Sequence, residues 1–308
     1  MILNGIIFLK MIIRKLKNFI KKPGNFFRYR SYRIRKAYYI LNKFFHFKTS
    51  NLRKIDQKIN SSLFEKGFLK IEDNELKKFN ICFNEIQKEI KNKLNNIDYK
   101  LNHNIPINEI LNSKDFSINS KSFLLATNKK LIKIVSNYFG YIPILTYISY
   151  WVSSNKKKIL GTSQEYHLDH EDIKQLKGFY FLENIEKKNG PTIILQKKQS
   201  LDLVKHIGYT TKKNQKRINK NLANKYINKS TEIYLTGNKG TLYLVDTSVC
   251  FHKGSEKSEK SRKILAFQYL SPFATSFDLN WKNSDILDKP NWKKNNLKQF
   301  QKYLVGLI

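Results

Sequence analysis

Cysteine is scarce in this chain of 308 residues; there are two, Cys82 and Cys250. They form no C-x-x-C pair and no framework of bridges, which excludes a disulfide-built scaffold and a cysteine zinc site. A reduced, cytoplasmic setting fits that usage. No run of 18 apolar residues occurs, so no spanning helix is indicated. Acid is also scarce. Asp and Glu number 24 against 58 Lys and Arg, and no acid precedes Asp56. The formal charge of +34 is the kind that marks nucleic-acid binders. Beyond the N-terminal segment, however, the lysines are spread along the chain and form no patch, so nucleic-acid binding is not expected. With 41% apolar and 13% aromatic residues there is ample material for a core, which excludes a disordered chain.

The beginning, "MILNGIIFLKMIIRKLKNFIKK", is apolar and then basic. It makes a poor signal peptide, because no positive charge precedes the apolar run and no small-residue cleavage site follows. Met11 is a second candidate start. Residues 1–50 carry 13 Lys and Arg, mixed with aromatics in "FFRYRSYRIRKAYYILNKFF". Two readings stand side by side: a basic amphipathic helix in peripheral contact with an anionic membrane, or a solvated helix that packs its aromatics on the domain.

The next stretch, 51–140, reads as mainly helical. "SSLFEKGFLKIEDNELKKFNICFNEIQKEIKNKL" repeats its apolar residues near a 3.6 period, and "NKKLIKIVSNYFG" ends on a glycine C-cap. From 141 to 275 the pattern changes. "IPILTYISYWVSS", "LKGFYFLENI", "GPTIILQ", "STEIYLTG", "GTLYLVDT" and "RKILAFQYLSP" are short aromatic and β-branched runs with turn residues between them, the signature of a sandwich or barrel. Residues 200–230 read as a polar insertion, helical or loop, of the kind that covers an active site. The tail, 281–308, reads as a peripheral helix. The domain reading is therefore 1–50 as a basic segment, 51–280 as the functional unit and 281–308 as the tail.

Chemistry concentrates in "YHLDHED", residues 166–172, which holds two of the six histidines and two overlapping His-x-Asp triplets. On a strand, side chains two apart share a face, so His167 and Asp169 can share one metal. The same holds for His170 and Asp172. A third ligand is offered by His252, 85 residues after His167 and close behind the strand "GTLYLVD". Two histidines and one carboxylate on one face of a metal make the facial triad of non-haem Fe(II) oxygenases. Such a site leaves positions for a 2-oxo acid and for O₂. A cosubstrate with a distal carboxylate also needs a buried cation, and Arg262 stands ten residues past His252 at the start of "RKILAFQYL".

"QEYHLDHEDIKQLKGFYFLENIEKKNGP" and "GTLYLVDTSVCFHKGSEKSEKSRKILAFQY" resemble the two motif blocks of the phytanoyl-CoA dioxygenase family of Fe(II)/2-oxoglutarate oxygenases. The likeness covers about 140–275. It implies a mainly β fold with flanking helices: a double-stranded β-helix (jelly-roll, cupin-like) core with N-terminal helices packed outside. It also implies that His167, Asp169 and His252 bind Fe(II), leaving His170 and Asp172 in the following loop. Arg262 would hold the distal carboxylate of 2-oxoglutarate, and Gln164 would stand near the cosubstrate. The presence of Asp169 favours hydroxylation over halogenation. The family's Pro-Gly-Ser-His run is replaced by "LQKKQSL", which alters the rim of the substrate entrance.

Several residues carry a plainer reading beside the sharp one. His170 is expected to be solvated or bonded to Asp172. Cys250 reads as a buried apolar thiol, Trp151 as core and Gly254 as a turn glycine behind His252. Lys177 either reaches the pocket or makes a structural ion pair. Gln268 shares strand parity with Arg262. His46, His103 and His206 have no partner pattern. The resulting function is an Fe(II)- and 2-oxoglutarate-dependent dioxygenase acting on a small molecule. The competing classes are a non-catalytic jelly-roll binding protein and a basic membrane-surface protein. The substrate and the oligomeric state are not legible in the residues.

Overall fold

The computed structural model describes residues 57–153, 162–209, 217–256, 258–272, 274 and 299–305, with 34, 36, 37, 39 and 40. The rest of 1–50, including His46, residues 210–216 of the insertion and most of 281–308 lie outside the described residues.

In chain order the elements are α1 (Gln57–Lys66), β1 (Phe68–Ile71), α2 (Asp73–Lys77), α3 (Phe83–Leu94), β2 (Ile107–Leu111), α4 (Lys121–Ala126), α5 (Lys129–Phe139) and β3 (Ile144–Ser153). Then come β4 (Tyr166–His167), β5 (Gln175–Phe181), β6 (Ile193–Ile194), α6 (Lys197–Ile207), β7 (Arg217–Ile218), α7 (Lys220–Tyr226) and β8 (Ile233–Tyr234). The last are β9 (Leu242–Val245), β10 (His252–Lys253), β11 (Lys263–Leu270) and α8 (Gln299–Leu304).

Two antiparallel sheets result. The major sheet runs β1-β9-β5-β11-β3-β2 and the minor sheet β7-β4-β10-β6-β8. With helices outside the major sheet, this is the jelly-roll core expected from the sequence.

Side-chain alternation explains the layering. On β11, Leu265, Phe267 and Tyr269 pack with the helices in one core cluster, while Ile264 and Ala266 pack in a second cluster with Ile194 of the minor sheet. On β5, Leu176 and Tyr180 belong to the first, Phe179 and Phe181 to the second. Both faces of the major sheet are thus covered, which is why its strands read as nearly continuous apolar runs. A third cluster, including Tyr166, Ile193, Leu203 and Phe251, lies on the outer side of the minor sheet.

Gly178 of β5 lies opposite Phe267 of β11. A Cβ at 178 would come within 2.2 Å of the Phe267 ring. The missing side chain therefore lets the ring lie over the strand. Helix α5 is bounded as its sequence suggests. The Asn128 side chain accepts from the amides of Lys130 and Leu131 at 2.9 and 3.3 Å, and Gly140 ends the helix at φ +83°.

Two details go beyond the sequence reading. The stretch 51–140 holds α1 to α5 and also two short strands, β1 and β2. The apolar run Phe68–Ile71 is too short for periodicity to decide, and it becomes a strand because the edge of β9 pairs it from Phe68↔Val245 to Ile71↔Leu242. The insertion is more than helix or loop, because β7 adds a strand that places Arg217 opposite His167. In "LQKKQSL", Gln196 occupies the N-cap position of α6, which starts at Lys197.

Of the basic N-terminal segment, Ile34 and Ile40 are exposed, whereas Tyr39 packs on the first core cluster and its hydroxyl meets that of Tyr141. Among the described residues no helix is long and apolar enough to cross a membrane.

Candidate functional site

The minor sheet sets two histidines side by side. His252 of β10 is in register with His167 of β4 on one side and with Ile194 of β6 on the other. Their ring centroids lie 4.2 Å apart. The chain leaves β4 after two residues, and the Asp169 amide donates to the Thr247 carbonyl at 2.8 Å. That bond fastens the Asp169 loop to the turn behind β9. One donor atom from each of His167, Asp169 and His252 falls within 4.8 Å of the others.

The tautomers follow from the backbone. His167 Nδ1 lies 2.8 Å from the Glu165 carbonyl and His252 Nδ1 lies 3.1 Å from the Cys250 carbonyl. A carbonyl oxygen only accepts, so both Nδ1 atoms carry the proton and both Nε2 atoms keep a lone pair. Burial pulls both imidazoles below the usual histidine value, most strongly at His167, which favours the neutral form a metal requires. Burial pushes the Asp169 carboxyl up, but the Lys177 ammonium outweighs it and holds the carboxyl well below the carboxylate range. Two neutral imidazoles and one ionised carboxylate on one face suit a divalent first-row metal.

Lys177 answers the two readings of it with both. It lines the cavity together with His167 and His252, and its Nζ lies 2.7 Å from Asp169 Oδ2. Parity on β5 puts it on the same face as Phe179 and Phe181, toward the minor sheet. Burial works against its charge, yet Asp169, Tyr147 and Glu171 hold the ammonium above the usual lysine value.

Arg262 lies in the lining of that same cavity of about 80 Å³. Its residue is 5% exposed. The backbone is fixed by its amide donating to Ser153 Oγ at 3.0 Å, and Nη1 donates to Thr192 Oγ1 at 2.6 Å. Nε is buried with no acceptor among the described residues. Among the described residues no carboxylate forms an ion pair with this guanidinium. Burial alone lowers it, to about 10, so it stays charged at neutral pH. A buried cation without an anion is costly, and a carboxylate arriving beside it would remove that cost.

Gln164 stands differently. It does not line the cavity of the two histidines; its Nε2 donates to the Ser255 carbonyl at 3.0 Å and so tethers the loop behind Gly254. Gly254 is not forced by its backbone. A Cβ there would meet Ser163 O at 3.6 Å and Arg262 Nη2 at 3.8 Å, ordinary contacts facing the guanidinium.

His170 is buried beside Tyr209, with ring centroids 6.2 Å apart, rather than solvated. Asp172 accepts from the amides of Ile173 and Ser271, both at 2.7 Å, and so anchors the loop to the end of β11. Cys250 is buried in the second core cluster and its thiol faces the Lys66 carbonyl at 3.6 Å. Trp151 packs on that cluster and also lines the cavity, so it is more than core. Gln268 accepts from Thr146 Oγ1 at 2.9 Å and is absent from the lining. Neither His103 nor His206 joins the cluster.

Thr192 was missed in the sequence. Its signal is a single hydroxyl in the apolar run "GPTIIL", at the parity of the inward Ile194. Two larger clefts, of about 290 and 250 Å³, lie at the outer side of the minor sheet and among the helices. Neither is lined by the histidine pair or by Arg262, so size does not pick out the site here; the donor set does.

No family model and no curated protein matches the chain. Solved structures similar to it include the non-heme alpha-ketoglutarate-dependent epimerase SnoN from nogalamycin biosynthesis, at 9% identity and a TM-score of 0.47, covering 79% of this chain and 92% of that one. EctD from S. alaskensis is 16% identical with a TM-score of 0.49, covering 73% and 80%. HygX from Streptomyces hygroscopicus, solved with nickel, 2-oxoglutarate and hygromycin B, is 14% identical with a TM-score of 0.49, covering 77% and 96%.

Proposed function

We propose that the protein is an Fe(II)- and 2-oxoglutarate-dependent dioxygenase. In this reading it hydroxylates a small-molecule, lipid- or CoA-linked, or sugar-linked metabolite, with residues 51–280 as the catalytic unit. The observation that carries the reading is a pairing at one cavity: a His-Asp-His donor set whose two histidines line it, and a buried guanidinium in the same lining that forms no ion pair with a carboxylate among the described residues. The first suits a divalent metal and the second suits a dicarboxylic cosubstrate.

His167, Asp169 and His252 would hold the iron through Nε2, a carboxylate oxygen and Nε2. Arg262 and Thr192 would receive the distal carboxylate of 2-oxoglutarate. Bound there, Fe(II), 2-oxoglutarate and O₂ supply the oxidising chemistry: R–H, 2-oxoglutarate and O₂ become R–OH, succinate and CO₂. The chain's own contribution is positioning. The carbonyls of Glu165 and Cys250 lock the imidazole tautomers. The Asp169–Thr247 backbone bond holds the carboxylate loop. Trp151, Phe179 and Ile264 give the cavity an apolar wall.

The test is spectroscopic. Fe(II) and then 2-oxoglutarate are added to the protein without oxygen, and the visible charge-transfer band of a metal-bound 2-oxo acid is sought. A band in wild type that disappears in Asp169→Ala supports the reading. A folded wild type without a band overturns it.

A further inference from the structure

Asp169 Oδ2 faces two groups at once: Lys177 Nζ at 2.7 Å and His252 Nε2 at 3.5 Å. Both partners lie in the same small cavity, and the Lys177 and Asp169 side chains are 16% and 12% exposed. A metal held by His252 and Asp169 must share the space between these same atoms. We infer that Lys177 is a positioning residue that competes with the metal for Asp169 Oδ2, and so sets how tightly the metal is held. The inference rests on the metal-site reading above.

The physics is a contest of two cations for one carboxylate oxygen. Charges this close interact strongly where water is largely excluded. The ammonium cannot leave by a short route, since β5 is an inner strand bonded to β9 and β11 on its two sides. It stays in the cavity whose lining it shares with His167, His252 and Arg262. A lysine that merely steadied Asp169 would help the metal bind; a lysine that competes hinders it. The sign of one measurement separates the two.

The probe is Ni(II) alone, titrated without oxygen into wild type, Lys177→Met, Lys177→Gln, Lys177→Arg and Asp169→Ala, with binding read by calorimetry. Lys177→Met is expected to bind Ni(II) about tenfold more tightly than wild type, with Lys177→Gln between them and Lys177→Arg no tighter than wild type. Thermal unfolding is the second readout. Ni(II) should raise the melting temperature of Lys177→Met by more than that of wild type, because it supplies the cation that Asp169 has lost. Equal or weaker Ni(II) binding by both neutral variants overturns the inference while leaving the metal site standing. Wild type that binds no Ni(II), like Asp169→Ala, overturns the metal site and the inference with it.

Discussion

Arg262 Nη1 donates to Thr192 Oγ1 at 2.6 Å, across two strand ends that the sequence separates by 70 residues. The pair forms a polar corner of a cavity whose apolar wall is Ile107, Trp151, Phe179 and Ile264. If it receives the cosubstrate's carboxylate, Arg262→Gln should raise the 2-oxoglutarate concentration needed for half-maximal binding about a hundredfold, through loss of charge-assisted bonds. Thr192→Val should cost about fivefold, the value of one neutral hydrogen bond. Calorimetric titration of 2-oxoglutarate into the metal-loaded protein checks both. Equal affinities in all three proteins would remove Arg262 from the site.

The two His-x-Asp triplets should separate cleanly. His167→Ala and His252→Ala are expected to abolish stoichiometric metal binding. His170→Ala should keep it, because His170 packs against Tyr209 outside the donor cluster. It should lose stability instead, by about 1–3 kcal/mol, as for other truncations of buried groups. Metal content after dialysis and urea unfolding measure the two effects separately.

Gly178→Ala tests the close packing of β5 on β11. The added Cβ would press on the Phe267 ring, where overpacking of this kind costs about 1–3 kcal/mol. Phe267→Leu loses ring contacts but opens space. The double variant should therefore be more stable than the sum of the single losses predicts, a coupling that a double-mutant cycle reads directly.

Asp246 gives a pH signature. It is fully buried directly after β9, where burial raises its carboxyl above the usual value against the bonds from Ser248 and Tyr138. A raised folded value means the folded state binds more protons than the unfolded one over the interval between the two values. Stability contributed by this group is therefore present below the unfolded carboxylate value and is lost as pH rises through the folded one. Relative to Asp246→Asn, wild type should lose stability as pH rises from about 4 toward neutrality. Urea unfolding of both proteins across that range checks the sign; a constant difference would contradict it.

Much of the site could be read along the chain because its residues sit at strand ends with fixed spacing. The His-x-Asp spacing and a histidine behind a strand name the candidate donors that the fold brings together, and an arginine at the next strand start names a candidate cation. The choice between the overlapping triplets could not be made from the residues themselves. It turns on β4 ending at His167, after which Asp169 is held by Thr247 and Asp172 by the amides of Ile173 and Ser271. β1 was hidden for a similar reason: four residues carry too little periodicity, and only an open sheet edge makes them a strand.

By itself, the sequence determined the class of the fold and the chemical inventory of the site. Alternation and turn residues are local properties, and ligand type is a matter of residue identity. The tertiary structure alone decided which charges face one another. Lys177 meets Asp169, and Arg262 meets Thr192 and, among the described residues, no acid, only because two sheets with given registers press their inward faces together. Those encounters depend on through-space distance in a place with little water, where a few ångströms decide whether a charge is paired, contested or left waiting for a ligand.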